Sequence, residues 1–332
     1  MEPLVIVKDL TKLYDLRGSN FLESLFSREQ RYLKAVDKIS FNIMPGETFG
    51  LVGESGCGKT TTGRLLINTI RATSGQVFFE GTDLSAVHDS EEVKKLALKM
   101  QMIFQDPYEY LSPWLNVKDT LAEPLIIHKH VPANQMEDKV IEVMETVGLT
   151  PVDTILPKFS YQLSGGQRQR VGIARALMLN PIFLVADEPV SMLDVSIRVG
   201  VLNLLKGLKK QFNLTSLFIT HDIAVSRYMC DRIAVMYLGK IVEMGPTEDI
   251  ISDPQHPYTQ ALIAAVPVPD PEIGNEEIPI KGRIPSSGVN LPPGCRFSPR
   301  CPYSGSCEAA TEPELVEIGK DRFVMCHKVL KK

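Results

Sequence analysis

The stretch Gly53-Glu54-Ser55-Gly56-Cys57-Gly58-Lys59-Thr60 constrains this chain more than any other, with four free positions between the first glycine and Gly58-Lys59-Thr60. A short apolar run, residues 49–52, precedes it, and helical spacing over residues 60–70 follows, so the segment reads as strand, loop, helix. Glycines at these positions let the backbone curl until successive N–H groups face phosphate oxygens, and the helix adds its positive end. Lys59 is expected to reach the β- and γ-phosphates and Thr60 to ligate Mg²⁺, with Thr61 next in the helix. Cys57 occupies a free position, where its backbone matters and its thiol does not.

A second apolar run, residues 182–186, ends in Asp187-Glu188. Adjacent carboxylates at the end of a buried parallel strand repel one another unless a cation faces them. Asp187 is therefore expected to hold Mg²⁺, and Glu188 to polarise a water for attack on the γ-phosphate. The run 217–219, followed by His221, reads as another buried strand.

With 332 residues, 44% hydrophobic content, 23% charged content and a net charge of -4, the chain can bury a large core and has no basic excess to suggest nucleic acid as partner. The first 14 residues carry no leader pattern, and no window approaches the roughly 18 apolar residues of a membrane span, so the expectation is a soluble chain in the cytosol. Alternation in residues 4–9 and 33–44 predicts two early strands, with a polar insertion at 16–31 between them. From about 91 to 180 the pattern turns mostly helical, and Val140, Val143, Met144 and Val147 share one face of a helix ending near Gly148. Beyond Gly245 repeated prolines place a boundary at about residues 253–271, with a small loop-rich module after it. Four cysteines crowd there, Cys295, Cys301, Cys307 and Cys326. In a module too small for its own core, four thiols suit a metal or cluster acting as a staple, although their spacing is wider than zinc sites favour.

Leu163-Ser164-Gly165-Gly166-Gln167, opening a helix, resembles the signature of ABC ATPases and is more specific than a phosphate loop alone. The resemblance implies a P-loop NTPase cassette of α/β class: a RecA-like core with an antiparallel β subdomain and a helical subdomain at about 106–180. It implies an ATP sandwich dimer, in which Ser164, Gly165, Gly166 and Gln167 of one subunit close on ATP in the phosphate loop of another. Gln105, in QMIFQDPY, matches the loop that senses Mg²⁺ and water and sits beside the transmembrane partner. Asp194, in SMLDVS, matches the loop coupling the two sites, and His221, in FITHD, the switch histidine at the γ-phosphate. The aromatic stacking on adenine is expected to be Tyr14, with Tyr32 as the competitor.

VGESGCGKTT, YQLSGGQRQR, VADEPVSMLD, YLGKIVEMG and HPYTQALIAAVP resemble the oligopeptide and dipeptide importer branch, and the GCGKT and QDPY forms its second ATPase. That resemblance implies domains at 1–255 and 256–332 and a place on the cytoplasmic face of the membrane. It implies a second ATPase subunit, two permease subunits and an extracytoplasmic peptide-binding protein as partners. GCRFSPRCPYSGSCEAA resembles the branch's C-terminal extension, which implies a 4Fe-4S cluster, with zinc or free or paired thiols as alternatives and His327 as a possible substitute ligand. Nickel or sugar import, or a soluble non-transport ABC ATPase, are the other readings. Long coiled-coil insertions and a second cassette, usual in the soluble class, are both missing from the sequence.

Overall fold

In the computed structural model, residues 2–16, 32–129, 131–266, 280–281, 291–307 and 310–330 are described. Most of the polar insertion, at 17–31, and most of the proline-rich linker, at 267–279 and 282–290, lie outside them. Two sheets organise the chain. The smaller has the order β2-β1-β4-β5, from β1 (Val5–Asp15), β2 (Tyr32–Ile43), β4 (Ser74–Phe79) and β5 (Thr82–Asp83), paired antiparallel throughout. Alternation buries Val5, Val7, Ile39, Phe41, Ile43, Val77 and Phe79 on its inner face.

The larger sheet also uses β3 (Thr48–Val52), β6 (Met100–Ile103), β7 (Phe183–Asp187), β8 (Thr215–Thr220), β9 (Arg232–Tyr237), β10 (Lys240–Pro246), β11 (Val316–Gly319) and β12 (Arg322–Val324). Its order is β11-β12-β10-β9-β3-β8-β7-β6, with parallel pairing from β9 through β6. Both faces are covered, which explains why these strands read as unbroken apolar runs. Leu51, Val185, Leu217 and Ile219 face the small sheet and the Lys59–Leu66 helix. Leu184, Ala186 and Phe218 face the opposite core. Each fully buried aliphatic or aromatic side chain stabilises by about 1.5–3 kcal/mol.

The helices between Pro107 and Leu177 join that second core. Val140, Val143, Met144 and Val147 fall together on it, as their spacing predicts. Gly172 in the Gly165–Leu177 helix leaves room for the Tyr110 hydroxyl, where a Cβ would collide. Arg168 of the same helix lies over the Tyr108 ring at 3.9 Å. The QDPY segment and the signature helix are thus packed as one piece.

The tail differs from the self-contained cysteine module expected of it. Its β11–β12 hairpin extends the main sheet along β10. Phe297 is buried against Tyr237 and Tyr258, with ring centroids at 5.3 and 5.6 Å. Arg296 pairs with Asp37 of β2 and donates to the Leu238 carbonyl. The fully buried Glu243 of β10 accepts from the backbone N–H groups of Gln255 and His256, at 2.8 and 2.9 Å. The prolines that break regular patterns hide this from the sequence, because the tail borrows the cassette's core.

His256 caps the Pro257–Ala264 helix, its Nδ1 accepting from Tyr258 N–H at 3.0 Å, and burial pulls its pKa from the ordinary 6.5 to about 3. The unfolded chain takes up a proton here below its ordinary pKa while the folded chain stays neutral. Stability therefore falls as pH drops through that window, by up to about 1.4 kcal/mol per pH unit from this group. His256→Asn keeps a capping oxygen and removes the titration. Urea unfolding between about pH 7 and about pH 5 is expected to show a shallower loss for the variant, and equal slopes would contradict this.

Candidate active site

Parallel register brings four strand ends to one level. Val52 of β3 is opposite Thr220 of β8, Asp187 of β7 opposite Ile219, and Ile103 of β6 opposite Ala186. The residue types that carry chemistry follow directly: the phosphate loop after β3, His221 after β8, Glu188 after β7 and Gln105 just past β6. Ligands gather at the carboxyl ends of parallel strands for this reason.

The loop is held from behind. Gly53 has φ +157 and Gly58 φ +110, and a Cβ on either would strike a backbone carbonyl, Met236 O and Ala35 O respectively. Gly56 has nothing within 4 Å of its Cβ position and opens on the cavity. Lys59, buried, donates from Nζ to Gly53 O at 2.7 Å and to Glu54 O at 3.0 Å, and stands 3.9 Å from Glu188 Oε1. These contacts fold its ammonium back over the loop. Cys57 packs into the core with its thiol raised by burial, so only its backbone serves the loop.

Thr60 Oγ1 donates to Asp187 Oδ1 at 3.2 Å. Burial, and secondarily the neighbouring Glu188, raises the Asp187 pKa despite that hydrogen bond. A buried carboxylate disfavoured in its charged form, beside a hydroxyl oxygen, is a hard-oxygen donor pair that fits Mg²⁺. Glu188 itself has φ +43, a left-handed conformation that costs a non-glycine residue about 1–2 kcal/mol. Its Oε2 faces His221 Nδ1 at 2.9 Å and accepts from Gln105 Nε2 at 3.4 Å. Two residues from distant stretches of chain thus converge on one carboxylate.

Lys59, Thr60, Glu188, His221 and Gln105 line a cavity of about 700 Å³ together with Tyr14, Leu33, Lys34, Ala35, Ser55, Thr61 and Leu238, while Asp187 is buried and bonded to Thr60. Tyr14, not Tyr32, reaches it: Tyr14 is opposite Leu33, and Tyr32 lies one position further out, opposite Asp15. Lys34 and Leu238 were not singled out by sequence, since no local pattern marks them. Ser164 and Asp194 are exposed and line no part of this cavity. Ser164 caps its helix through a reciprocal pair with Gln167, Oγ accepting from Gln167 N–H at 3.3 Å and Gln167 Oε1 accepting from Ser164 N–H at 3.0 Å, while Gly165 and Gly166 form the first turn. Asp194 is the N-terminal cap residue of the Val195–Phe212 helix, and its side chain makes no capping hydrogen bond.

In the tail, burial first and neighbouring cysteines next raise the Cys295, Cys301 and Cys326 thiols. Cys307 is among those neighbours, so the four sulfurs share one neighbourhood. All are free thiols, and among the described residues no group of three or more His, Cys, Asp or Glu is gathered so as to hold a metal ion. The expected four-cysteine metal site is therefore not formed as the chain stands. His327 is engaged by Thr311, at 3.0 Å from its carbonyl.

A phosphate loop, a strand-end carboxylate pair and a capped second glycine-rich helix define a P-loop ATPase with a two-lobed cassette. Residues 36–191 match the family described as ABC transporter, and 242–307 that described as oligopeptide/dipeptide transporter, C-terminal region. The oligopeptide transport ATP-binding protein AppF of Bacillus subtilis is 42% identical over 328 residues, covering 98% of this chain and 97% of AppF. YkfD of the same organism is 47% identical over 302 residues, covering 90% and 91%. The solved ATP-binding cassette MJ0796, dimeric and bound to ADP and Pi, superposes with a TM-score of 0.63 at 28% identity, covering 73% of this chain and 98% of that one. The chain belongs to the ABC transporter ATP-binding proteins, in the oligopeptide/dipeptide branch.

Gly58→Ala adds a Cβ where the Ala35 carbonyl lies and forces alanine into positive φ. It is expected to cost at least about 1–2 kcal/mol and to distort the loop. Thermal unfolding should show a lowered midpoint, and an unchanged midpoint would contradict the close approach.

Proposed function

We propose that this chain hydrolyses ATP to power import of di- and oligopeptides through membrane partners. The observation that carries the reading is the convergence of His221 and Gln105 on the Glu188 carboxylate, beside a phosphate loop, in a chain whose C-terminal region is of the peptide-transporter type. Among the described residues no helix is long and apolar enough to cross a membrane, so transport requires other subunits.

In the proposed reaction, ATP phosphates rest on the backbone N–H groups of residues 53–61 and on Lys59, and Tyr14 stacks on adenine. Thr60 and Asp187, with Gln105 alongside, would hold Mg²⁺, which would supply charge neutralisation for the phosphates. Glu188 takes the proton of the attacking water as its oxygen bonds to the γ-phosphorus and the bond to ADP breaks. His221 and Gln105 hold the Glu188 carboxylate in position for that transfer. Ser164 is exposed and neither it nor Gln167 lines the cavity, which supports a sandwich: the signature helix, with Asp194 next to it, serves the ATP of a second ATPase subunit. The partners are that subunit, with this chain as the second of the pair, two permeases at the cytoplasmic face and an extracytoplasmic peptide-binding protein. Domains at 1–255 and 256–332 remain the division we propose, with the second leaning on the first.

The four thiols are proposed to take up a 4Fe-4S cluster, a reading that rests on the resemblance of GCRFSPRCPYSGSCEAA to the C-terminal extension of the importer branch. Ligation would require the sulfurs to close up, and Cys295, Cys301 and Cys326 to lose protons that burial now favours. No step of hydrolysis runs through it. Anaerobically purified protein is expected to show broad absorbance near about 400 nm that Cys301→Ser removes. A colourless protein carrying stoichiometric zinc would contradict this.

Glu188→Gln removes the base and keeps the shape. With the permeases in vesicles, it is expected to lower ATP turnover and labelled-peptide uptake by about 10²–10⁴-fold while the Kd for ATP stays within about threefold. Turnover near wild type would refute the assignment of Glu188. Full turnover without peptide uptake would refute the cargo.

A further inference from the structure

Glu54 occupies a free position of the phosphate loop and borders the cavity, and its carbonyl accepts from Lys59 Nζ at 3.0 Å. A carboxylate there sits badly with a polyanionic ligand, because an unscreened negative charge a few ångströms from phosphate oxygens opposes binding. The tail answers that charge. Arg300, 246 residues away, donates Nη1 to Glu54 Oε2 at 2.8 Å and Nη2 to Oε1 at 3.0 Å, a two-pronged fork. Only 6% of the Arg300 side chain is exposed, against 21% for Glu54. The guanidinium lies over the rings of Tyr237 and Phe297, 5.7 and 5.9 Å from their centroids. Tyr258, also from the C-terminal region, accepts the Glu54 N–H at 2.9 Å, so backbone and carboxylate are gripped together.

We propose that Arg300 is a positioning residue for nucleotide binding, which turns the Glu54 carboxylate away from the phosphate cavity and cancels its charge. Docking of the C-terminal tail then sets the affinity of a loop some 200 residues upstream in sequence. The proposal rests on the reading of the cavity as an ATP site.

The test is equilibrium titration of the purified full chain with trinitrophenyl-ATP, displaced by ATP in the presence of Mg²⁺. Arg300→Gln, leaving Glu54 ionised and free, is expected to raise the Kd for ATP about tenfold, and Arg300→Lys to raise it less. Glu54→Gln/Arg300→Gln, with neither charge, is expected to return the Kd to within about twofold of wild type. A purely structural contact would leave the double variant as weak as Arg300→Gln. That result, or wild-type affinity in Arg300→Gln, overturns the proposal. Should Arg300→Gln not fold, the double variant carries the test alone: a Kd raised about fivefold or more, or failure to fold, also overturns it. Failure of the wild-type chain to bind ATP would instead sink the ATP reading itself.

Discussion

The site depends on the parallel hydrogen-bond ladder joining β3, β8, β7 and β6. Register between these strands brings four chain segments, from residues 53–60 to His221, to one edge of one sheet. Shift one strand by a single residue and its core-facing side chains turn to the other face, so the chemistry cannot be displaced without unfolding the core. Helices cover one face, and the small sheet with the Lys59–Leu66 helix covers the other, which buries the ladder and leaves the strand ends to line the cavity. The left-handed Glu188 is then tolerable, because the strand before it is fixed and the His221 and Gln105 contacts define where its carboxylate must point.

The second constraint comes from the tail. A seven-residue stretch bounded by Cys295 and Cys301 carries two arginines, one pinned to Asp37 of the small sheet and the other to Glu54 of the phosphate loop. Phe297 between them fills the aromatic pocket of Tyr237 and Tyr258. This stretch joins the small sheet to the phosphate loop, so the C-terminal region is tied to the candidate site in physical terms. Deep burial of both arginines makes their carboxylate partners obligatory, since an unpaired buried charge is far more costly than a broken surface pair.

Much of the site was legible in the sequence because its chemistry is local. The phosphate loop needs glycines at fixed offsets, and a carboxylate pair ending an apolar run announces itself without knowledge of the fold. Tyr14 against Tyr32 was open in sequence; of the two, Tyr14 lines the cavity, a consequence of the pairing between β1 and β2 that no window of sequence contains. The tail was the least legible part. Prolines erased periodicity, and what anchors it are contacts such as Arg300 to Glu54 and Phe297 to Tyr237, which no window of sequence contains. Cysteine count suggested a metal staple, whereas the described residues are held by aromatic packing, a sheet extension and ion pairs.

In the proposed sandwich one chain holds half a catalytic site, with the cavity on one surface and the Ser164 helix end serving another subunit. Equilibrium sedimentation of the chain, alone and with its partner ATPase, tests this most directly when run with and without Mg-ATP under conditions that block turnover. Association is expected to require ATP and to disappear when Ser164→Arg blocks the helix end. Association that is indifferent to nucleotide, or that survives Ser164→Arg unchanged, would contradict it.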